Sequence, residues 1–199
     1  MRFARPTTGR LALRWALLLW ALCAAPIAGA AAPAGDEAAW RALGRGAIVL
    51  FRHATAPGVG DPANFRLGDC TTQRNLDATG RSEAAALGTA FRARGVKVGE
   101  VWSSRWCRTH ETAALAFPGR VRDEPTFDSF FDDASRDAAQ TAAARALLLR
   151  WKGPGALVVV THQVNITALT GIVPASGEGV VVEPHRDALV VVGRVAAGR

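Results

Sequence analysis

Two histidines follow apolar segments in positions where an imidazole could take part in chemistry. Residues 48–52 (IVLFR) are typical of a buried strand and lead directly into His53. Residues 156–161 (ALVVVT) have the same character and lead into His162. If these two strands are parallel neighbours, both imidazoles lie at one edge of the sheet, which is where open α/β sheets place their sites.

The arginines near these histidines fit the chemistry of phosphate. Arg52 precedes His53, and Arg108 lies one helical turn into the segment that follows another predicted strand. The planar fork of arginine matches two phosphate oxygens, and an imidazole nitrogen can attack phosphorus to form a phosphohistidine. The pattern therefore predicts phosphoryl transfer, in which Arg52 and Arg108 hold the phosphate, a histidine nitrogen attacks it and His162 supplies a further donor.

The first 32 residues are predicted to be a secretory signal peptide. An uncharged, mostly apolar stretch, residues 15–25, follows four arginines, and the triplets 28–30 (AGA) and 30–32 (AAA) both fit a cleavage site. The apolar stretch is shorter than the roughly 20 residues of a comfortable transmembrane span. We expect cleavage, export and a single domain over residues 33–199 without stable membrane insertion; the alternative is an uncleaved anchor.

The charge of the chain does not favour binding to nucleic acid. The net charge is +7, but the predicted leader holds four arginines and no acidic residue. The remainder has 20 basic and 17 acidic residues, a net charge of +3, with no dense run of lysine or arginine. A small phosphorylated molecule is therefore the expected partner, and the oligomeric state stays open.

Two cysteines remain after the predicted leader, Cys70 and Cys107, and both lie beside candidate site residues. An even pair in an exported chain usually forms a disulfide, because that compartment is oxidising. We predict a Cys70–Cys107 bond that fastens the long loop 54–70 to the site. The alternative is a pair of buried thiols.

Strand and helix patterns alternate along the chain, which predicts a three-layer α/β/α sandwich with a mostly parallel central sheet. The predicted strands are 46–51, 98–103, 121–127, 156–161, 180–182 and 189–192. The predicted helices are 36–43, 79–94, a segment beginning near 104, 135–151 and 163–171. The caps expected for two of these helices are Thr79 or Ser82, and Ser135.

Taken together, these motifs resemble the histidine phosphatase (phosphoglycerate mutase-like) superfamily. The resemblance is carried, in the order of the family, by 52–53 (RH), 76–80 (LDATG), 103–113 (SSRWCRTHETA) and 161–162 (TH). It covers roughly residues 47–169 and implies phosphorylation of the first histidine without any metal or organic cofactor. The chain departs from the family at Ala54, which stands where a glycine is usual.

The resemblance also implies a proton donor, and here the sequence leaves alternatives. Many members have a glutamate after the third strand or an aspartate after the second histidine, but Gln163 occupies the second of these positions. The first region offers Glu124, Asp128, Asp132 and Asp133. Asp128 is the preferred acid, because the aromatic residues on either side favour a protonated carboxyl group.

The motifs further resemble exported bacterial members that act on phosphorylated heptoses of the lipopolysaccharide core. This resemblance implies a periplasmic phosphatase for a phosphosugar, with Arg74, Gln163 and Asn165 contacting the part of the substrate outside its phosphate. Two alternatives remain. One is a mutase of the phosphoglycerate type, and the other is a phosphate- or sugar-binding module without catalytic activity.

Overall fold

The computed structural model describes Met1 and residues 34–196, and the predicted signal peptide therefore lies outside the described residues, apart from Met1. None of the helices in this part of the chain is long and apolar enough to cross a membrane. The elements, in chain order, are α1 (Ala34–Gly44), β1 (Ile48–Arg52), α2 (Ala78–Ala93), β2 (Val98–Ser103), α3 (Cys107–Ala116), β3 (Val121–Asp123), α4 (Asp137–Leu149), β4 (Ala156–Thr161), α5 (Gln163–Thr170), β5 (Glu178–His185) and β6 (Ala188–Ala196).

The six strands form one mixed sheet in the order β3-β2-β4-β1-β5-β6. The first four of these are parallel, while β5 and β6 are antiparallel to their neighbours. Strands β1 and β4 pair directly, with Arg52 opposite Thr161. The residues that follow these two strands therefore leave the sheet at the same edge.

The side chains of β1 alternate between two cores, one on each face of the sheet. Val49 and Phe51 pack with α1, α2 and α3, whereas Ile48 and Leu50 pack with α4 and α5. Because β1 is covered on both faces, it is apolar at nearly every position, as expected for a central parallel strand. The three-layer α/β/α sandwich is confirmed.

Several element boundaries differ from the sequence predictions for local reasons. Strand β3 ends at Asp123 rather than near residue 127, because Pro125 has no N–H to donate and begins a single 3-10 turn. Helix α2 is capped by the carboxylate of Asp77, which accepts a 2.7 Å hydrogen bond from the Gly80 N–H. Asp133, not Ser135, caps the 3-10 turn that leads into α4.

One glycine lets α2 approach the segment that follows the first histidine. A Cβ atom on Gly80 would lie 2.0 Å from the carbonyl oxygen of Thr55, so no larger residue fits without displacing the backbone. Thr55 is also held by Glu83, whose carboxylate accepts hydrogen bonds from the Thr55 N–H (2.9 Å) and hydroxyl (3.1 Å). The start of α2 thus supports the backbone next to the site.

Candidate active site

The two histidines meet at the carboxyl ends of β1 and β4. The His53 N–H donates to the Thr161 carbonyl at 3.0 Å, which continues the strand pairing by one residue. The ring centroids of His53 and His162 lie 5.7 Å apart, and both side chains are buried. Parallel pairing of two strands that each end in a histidine is sufficient to place the imidazoles together, as the sequence pattern predicted.

The surroundings of His53 keep its ring neutral and fix its tautomer. The Nδ1 atom lies 2.8 Å from the Ala54 carbonyl oxygen, which can only accept, so Nδ1 carries the hydrogen and Nε2 keeps a lone pair. Burial, together with the positive charges of Arg108, Arg74 and Arg52, lowers the pKa of His53 to about 3, although the Ala54 contact raises it. A neutral imidazole with a free Nε2 is a nucleophile.

The second histidine is neutral for similar reasons. Burial lowers the pKa of His162 well below its usual range, and the charges of Arg108, His53 and two further arginines lower it further. Its Nε2 atom lies 2.9 Å from the Ser104 hydroxyl oxygen. Trp106 packs edge-on against the ring, with centroids 5.4 Å apart. These contacts hold the ring in one orientation.

Three arginines surround the histidines and line the same pocket: Arg52, Arg74 and Arg108. Arg52 donates to the Pro174 carbonyl at 3.1 Å, and Arg74 donates to the carbonyls of Gly60 (2.9 Å) and Ala56. Burial lowers the pKa of both arginines, and so does the neighbouring charge of Arg108. Mutual repulsion among fixed guanidinium groups prepares the pocket to receive an anion.

An aspartate that the sequence analysis did not identify completes this pocket. Asp61 accepts from Arg108 through both carboxylate oxygens, at 2.7 Å and 3.0 Å. It also accepts from the Trp106 indole at 2.9 Å and from the Arg74 N–H at 3.2 Å. No sequence signal marks Asp61, because it lies in an irregular loop, 47 residues before its partner.

The disulfide predicted between Cys70 and Cys107 is present. It joins the end of the loop that carries Asp61 to the first residue of α3, the helix that carries Arg108. The Gln73 side-chain oxygen reinforces this junction by accepting from the Cys107 N–H at 2.9 Å. The bond therefore links the two chain segments whose side chains form the Asp61–Arg108 pair.

The structure places Asp128 behind the pocket rather than in its lining. Its side chain is 1% exposed, and its oxygens accept from the Arg105 N–H (2.9 Å) and Nε (2.8 Å), as well as from a terminal guanidinium nitrogen. Asp128 is therefore not among the residues that line the pocket, and its role as proton donor stays a prediction. Asp132 lines the pocket instead.

The three residues predicted to contact the rest of the substrate lie in different places. Arg74 and Gln163 line the pocket, together with the exposed side chains of Phe131 and Val59. Asn165 is buried two residues further along α5, where its side-chain amide donates to the Asp128 carbonyl at 3.1 Å. It is not among the residues that line the pocket, because residues two apart on a helix point in different directions, and its substrate contact stays a prediction.

A model of the "Histidine phosphatase superfamily (branch 1)" matches residues 48–135, which include the three arginines of the pocket and the first histidine. No curated protein matches the chain.

Solved structures of three phosphatases share the fold. The protein histidine phosphatase SixA, in complex with tungstate, is 15% identical, with 76% of this chain and 97% of that chain covered and a TM-score of 0.52. A mycobacterial glucosyl-3-phosphoglycerate phosphatase with inorganic phosphate is 15% identical over 76% and 98%, with a TM-score of 0.56. A phosphoserine phosphatase from Entamoeba histolytica with 3-phosphoglyceric acid is 12% identical over 74% and 95%, with a TM-score of 0.52.

Proposed function

We propose that this chain, whose residues 48–135 match the model of the histidine phosphatase superfamily, hydrolyses phosphomonoesters through a phosphohistidine at His53. The observation that carries the proposal is the state of this residue. Its Nδ1–H is held by the Ala54 carbonyl, its Nε2 keeps a lone pair, and its lowered pKa keeps the ring neutral. A nucleophile in this state needs no separate base, because it has no proton to lose.

The phosphate of the substrate binds among Arg52, Arg108 and His162. Two of these side chains offer hydrogens that the fold leaves available, since the Nε atoms of Arg52 and Arg108 are buried and have no partner among the described residues. The Ser104 hydroxyl has one hydrogen, which can go to the Asp128 carboxylate at 3.3 Å or to the His162 Nε2 at 2.9 Å. His162 becomes a third donor when this hydrogen goes to Nε2, because the hydrogen of the neutral ring is then on Nδ1. Preset donors of this kind stabilise the charge on the transferring oxygens.

The reaction proceeds in two displacements. In the first, the Nε2 lone pair of His53 forms a bond to phosphorus while the bond from phosphorus to the leaving oxygen breaks, and that oxygen takes a proton. We assign the proton transfer to Asp132, because the other acid in the pocket lining, Asp61, is held by Arg108. In the second, a water oxygen attacks phosphorus and gives a proton back to Asp132, the bond to Nε2 breaks, and phosphate leaves with His53 restored.

Export to the periplasm and action on a phosphosugar are parts of the same proposal. The leader-like first 32 residues support export, and so does a disulfide, since disulfides persist in oxidising compartments. The exposed ring of Phe131 and the amide of Gln163 at the pocket rim support a sugar, because an aromatic face and an amide suit its C–H and hydroxyl groups. A panel of phosphosugars, phosphoamino acids and phosphoproteins tests the substrate, and the N-terminal mass of protein recovered from the periplasm tests export.

The central experiment measures hydrolysis of p-nitrophenyl phosphate by the purified protein and two histidine variants. His53→Ala is expected to abolish turnover, whereas His185→Ala, at an exposed position at the end of β5, retains it. Rapid acid-free quenching should trap an acid-labile phosphoryl group on the wild type but not on His53→Ala. Turnover that survives in His53→Ala would refute the nucleophile. Phosphoryl transfer to a second hydroxyl in preference to water would identify a mutase, and tight phosphate binding without any turnover would identify a binding module.

A further inference from the structure

The loop between β1 and α2 places a carboxylate inside a pocket that otherwise suits an anion. Asp61 lines this pocket, and its side chain is only 6% exposed. A buried carboxylate next to a phosphate site would repel the substrate if no neighbouring cation offset its charge. Burial alone would raise the pKa of Asp61, but its hydrogen bonds and the charge of Arg108 outweigh burial and lower this pKa, so the group stays ionised.

The contact between Asp61 and Arg108 uses one side of the guanidinium group and leaves another free. Arginine has five N–H groups in a rigid plane. Asp61 accepts from Nη1 and Nη2, the two terminal nitrogens, which form the end-on fork. The Nε–H of Arg108, together with the second hydrogen of Nη2, forms the side-on fork. Among the described residues, this buried Nε has no partner. Because the Asp61 carboxylate binds the two terminal nitrogens of Arg108, it determines the direction in which the side-on fork points.

The same carboxylate is itself held from other directions. The Trp106 indole and the Arg74 backbone N–H donate to it at 2.9 Å and 3.2 Å. Trp106 also stacks with Phe65 of the loop, with ring centroids 5.1 Å apart. Asp61 is thus a fixed anchor for Arg108, and its position depends on the loop rather than on the substrate.

The Asp61 carboxylate also lowers the net charge of the inner part of the pocket, where the phosphate-binding residues lie. The three guanidinium groups there contribute three positive charges, and the two imidazoles are neutral. The carboxylate of Asp61 reduces this charge to two, while Asp132 lies further out, at the exposed rim. A charge of plus two matches the dianion of a phosphomonoester, which carries about two negative charges near neutral pH.

We infer that Asp61 is the positioning residue of this site: it orients the side-on fork of Arg108 toward the phosphate. This inference rests on the proposed function. It does not make Asp61 a catalytic residue, because the carboxylate acts on the substrate only through Arg108. Its side chain should therefore matter when Arg108 is present and cease to matter when Arg108 is replaced.

The test is a double-mutant cycle on p-nitrophenyl phosphate with Asp61→Asn, Arg108→Gln and the double variant. Asp61→Asn alone is expected to lower kcat about 10- to 100-fold. Without the carboxylate, the Arg108 guanidinium is no longer held in one orientation and stabilises the transition state less well. Its KM should not rise, since the pocket becomes more positive. In the Arg108→Gln background the same change should cause no further loss. Asp69→Asn, in the same loop but outside the pocket lining, is the matched control and should leave both backgrounds unchanged.

Stability and activity are separated in the same experiment. Thermal midpoints and the count of free thiols show whether each variant is folded with its disulfide intact. If Arg108→Gln does not fold, Arg108→Lys provides the second background, in which a point charge replaces the planar fork. Asp61→Asn with wild-type kcat, or with the same loss in both backgrounds, would overturn the inference, because a merely structural role acts irrespective of Arg108. An inactive wild type would instead refute the proposed function.

Discussion

Two carboxylate–arginine pairs flank the same short segment, and they differ in which partner is exposed. In the pair behind the pocket, Asp128 is 1% exposed while the side chain of Arg105 is 41% exposed. In the pair inside the pocket, both Asp61 and Arg108 are nearly buried, at 6% and 3%. The two arginines are only three residues apart, yet one extends toward solvent and the other faces the substrate site.

This difference shows that one type of interaction serves opposite purposes in the two pairs. Behind the pocket, an exposed guanidinium neutralises a buried carboxylate, and Asp128 accepts from the Ser104 hydroxyl at 3.3 Å while the oxygen of that hydroxyl also contacts His162. Inside the pocket, a buried carboxylate restrains the guanidinium, which keeps donors available for phosphate. The first pair is structural, and the second presents a cation.

Replacing each arginine by alanine should separate the two pairs most clearly. Arg108→Ala is expected to lower kcat/KM by about 10³-fold, because it removes a donor to the transferring oxygens. It should also lower the free energy of unfolding by about 3–5 kcal/mol, since Asp61 stays buried without its partner. Kinetics on p-nitrophenyl phosphate and urea denaturation measure both effects.

Arg105→Ala is the matched comparison for that variant. Solvent screens this exposed guanidinium, and Asp128 still accepts a hydrogen bond from the backbone N–H of residue 105 in the variant. We therefore expect the free energy of unfolding to fall by about 1 kcal/mol and kcat/KM to stay near normal. Equal losses of activity in the two variants would contradict the distinction between a structural and a cation-presenting pair.

Removal of the disulfide should weaken the pocket pair more than the pair behind it. The Cys70→Ser, Cys107→Ser variant opens a loop with a sequence separation of 37, which costs about 4 kcal/mol in the chain-entropy model. Because the bond joins the end of the segment that carries Asp61 to the start of the helix that carries Arg108, kcat should fall as well, whereas Asp128 lies outside both joined segments. Urea denaturation of the wild type with and without reductant provides the control, and an unchanged midpoint after reduction would refute the stabilising role of the bond.

Two aspartate variants test which acid protonates the leaving group. Asp132→Asn should slow hydrolysis of alkyl phosphates about tenfold more than hydrolysis of p-nitrophenyl phosphate, since an aryl leaving group needs little protonation. Asp128→Asn should slow both substrates by the same modest factor, because it only disturbs Ser104 and His162. The ratio of rates on the two substrates is the measurement. A selective loss on alkyl phosphates in Asp128→Asn would identify Asp128 as the donor.

The histidines between the two pairs should give the smallest effect, a dependence of stability on pH. The pKa of His53 is about 3 in the folded protein against an ordinary value of 6.5, so the unfolded chain binds more protons below about pH 6.5. The melting temperature should therefore fall as the pH decreases from about 6.5 toward 3 and be insensitive to this group above 6.5. His53→Gln should show a shallower fall, while the loss that begins below about pH 4, where Asp61 gains its proton in the unfolded chain before it does so in the folded protein, should remain. Equal slopes in the two proteins would contradict the lowered pKa.

Regular patterns along the chain were sufficient for most of the fold. Continuous apolar runs identified β1 and β4 within two residues, and the turn residues around them identified the helices that follow. The site residues attached to these elements, His53 and His162, were found for the same reason. The pattern was insufficient at β3, where a proline-containing segment that resembles a strand forms a turn after three residues.

By itself, the sequence determined the histidines at the strand ends, the arginines beside them and the pair of cysteines, because each follows from local periodicity or from composition. Only the tertiary structure decided which acid meets which arginine: Asp61 with Arg108, and Asp128 with Arg105. Those contacts join residues 47 and 23 positions apart through irregular loops. Loop conformation depends on the packing of the whole domain, and no repeating pattern in the chain encodes it.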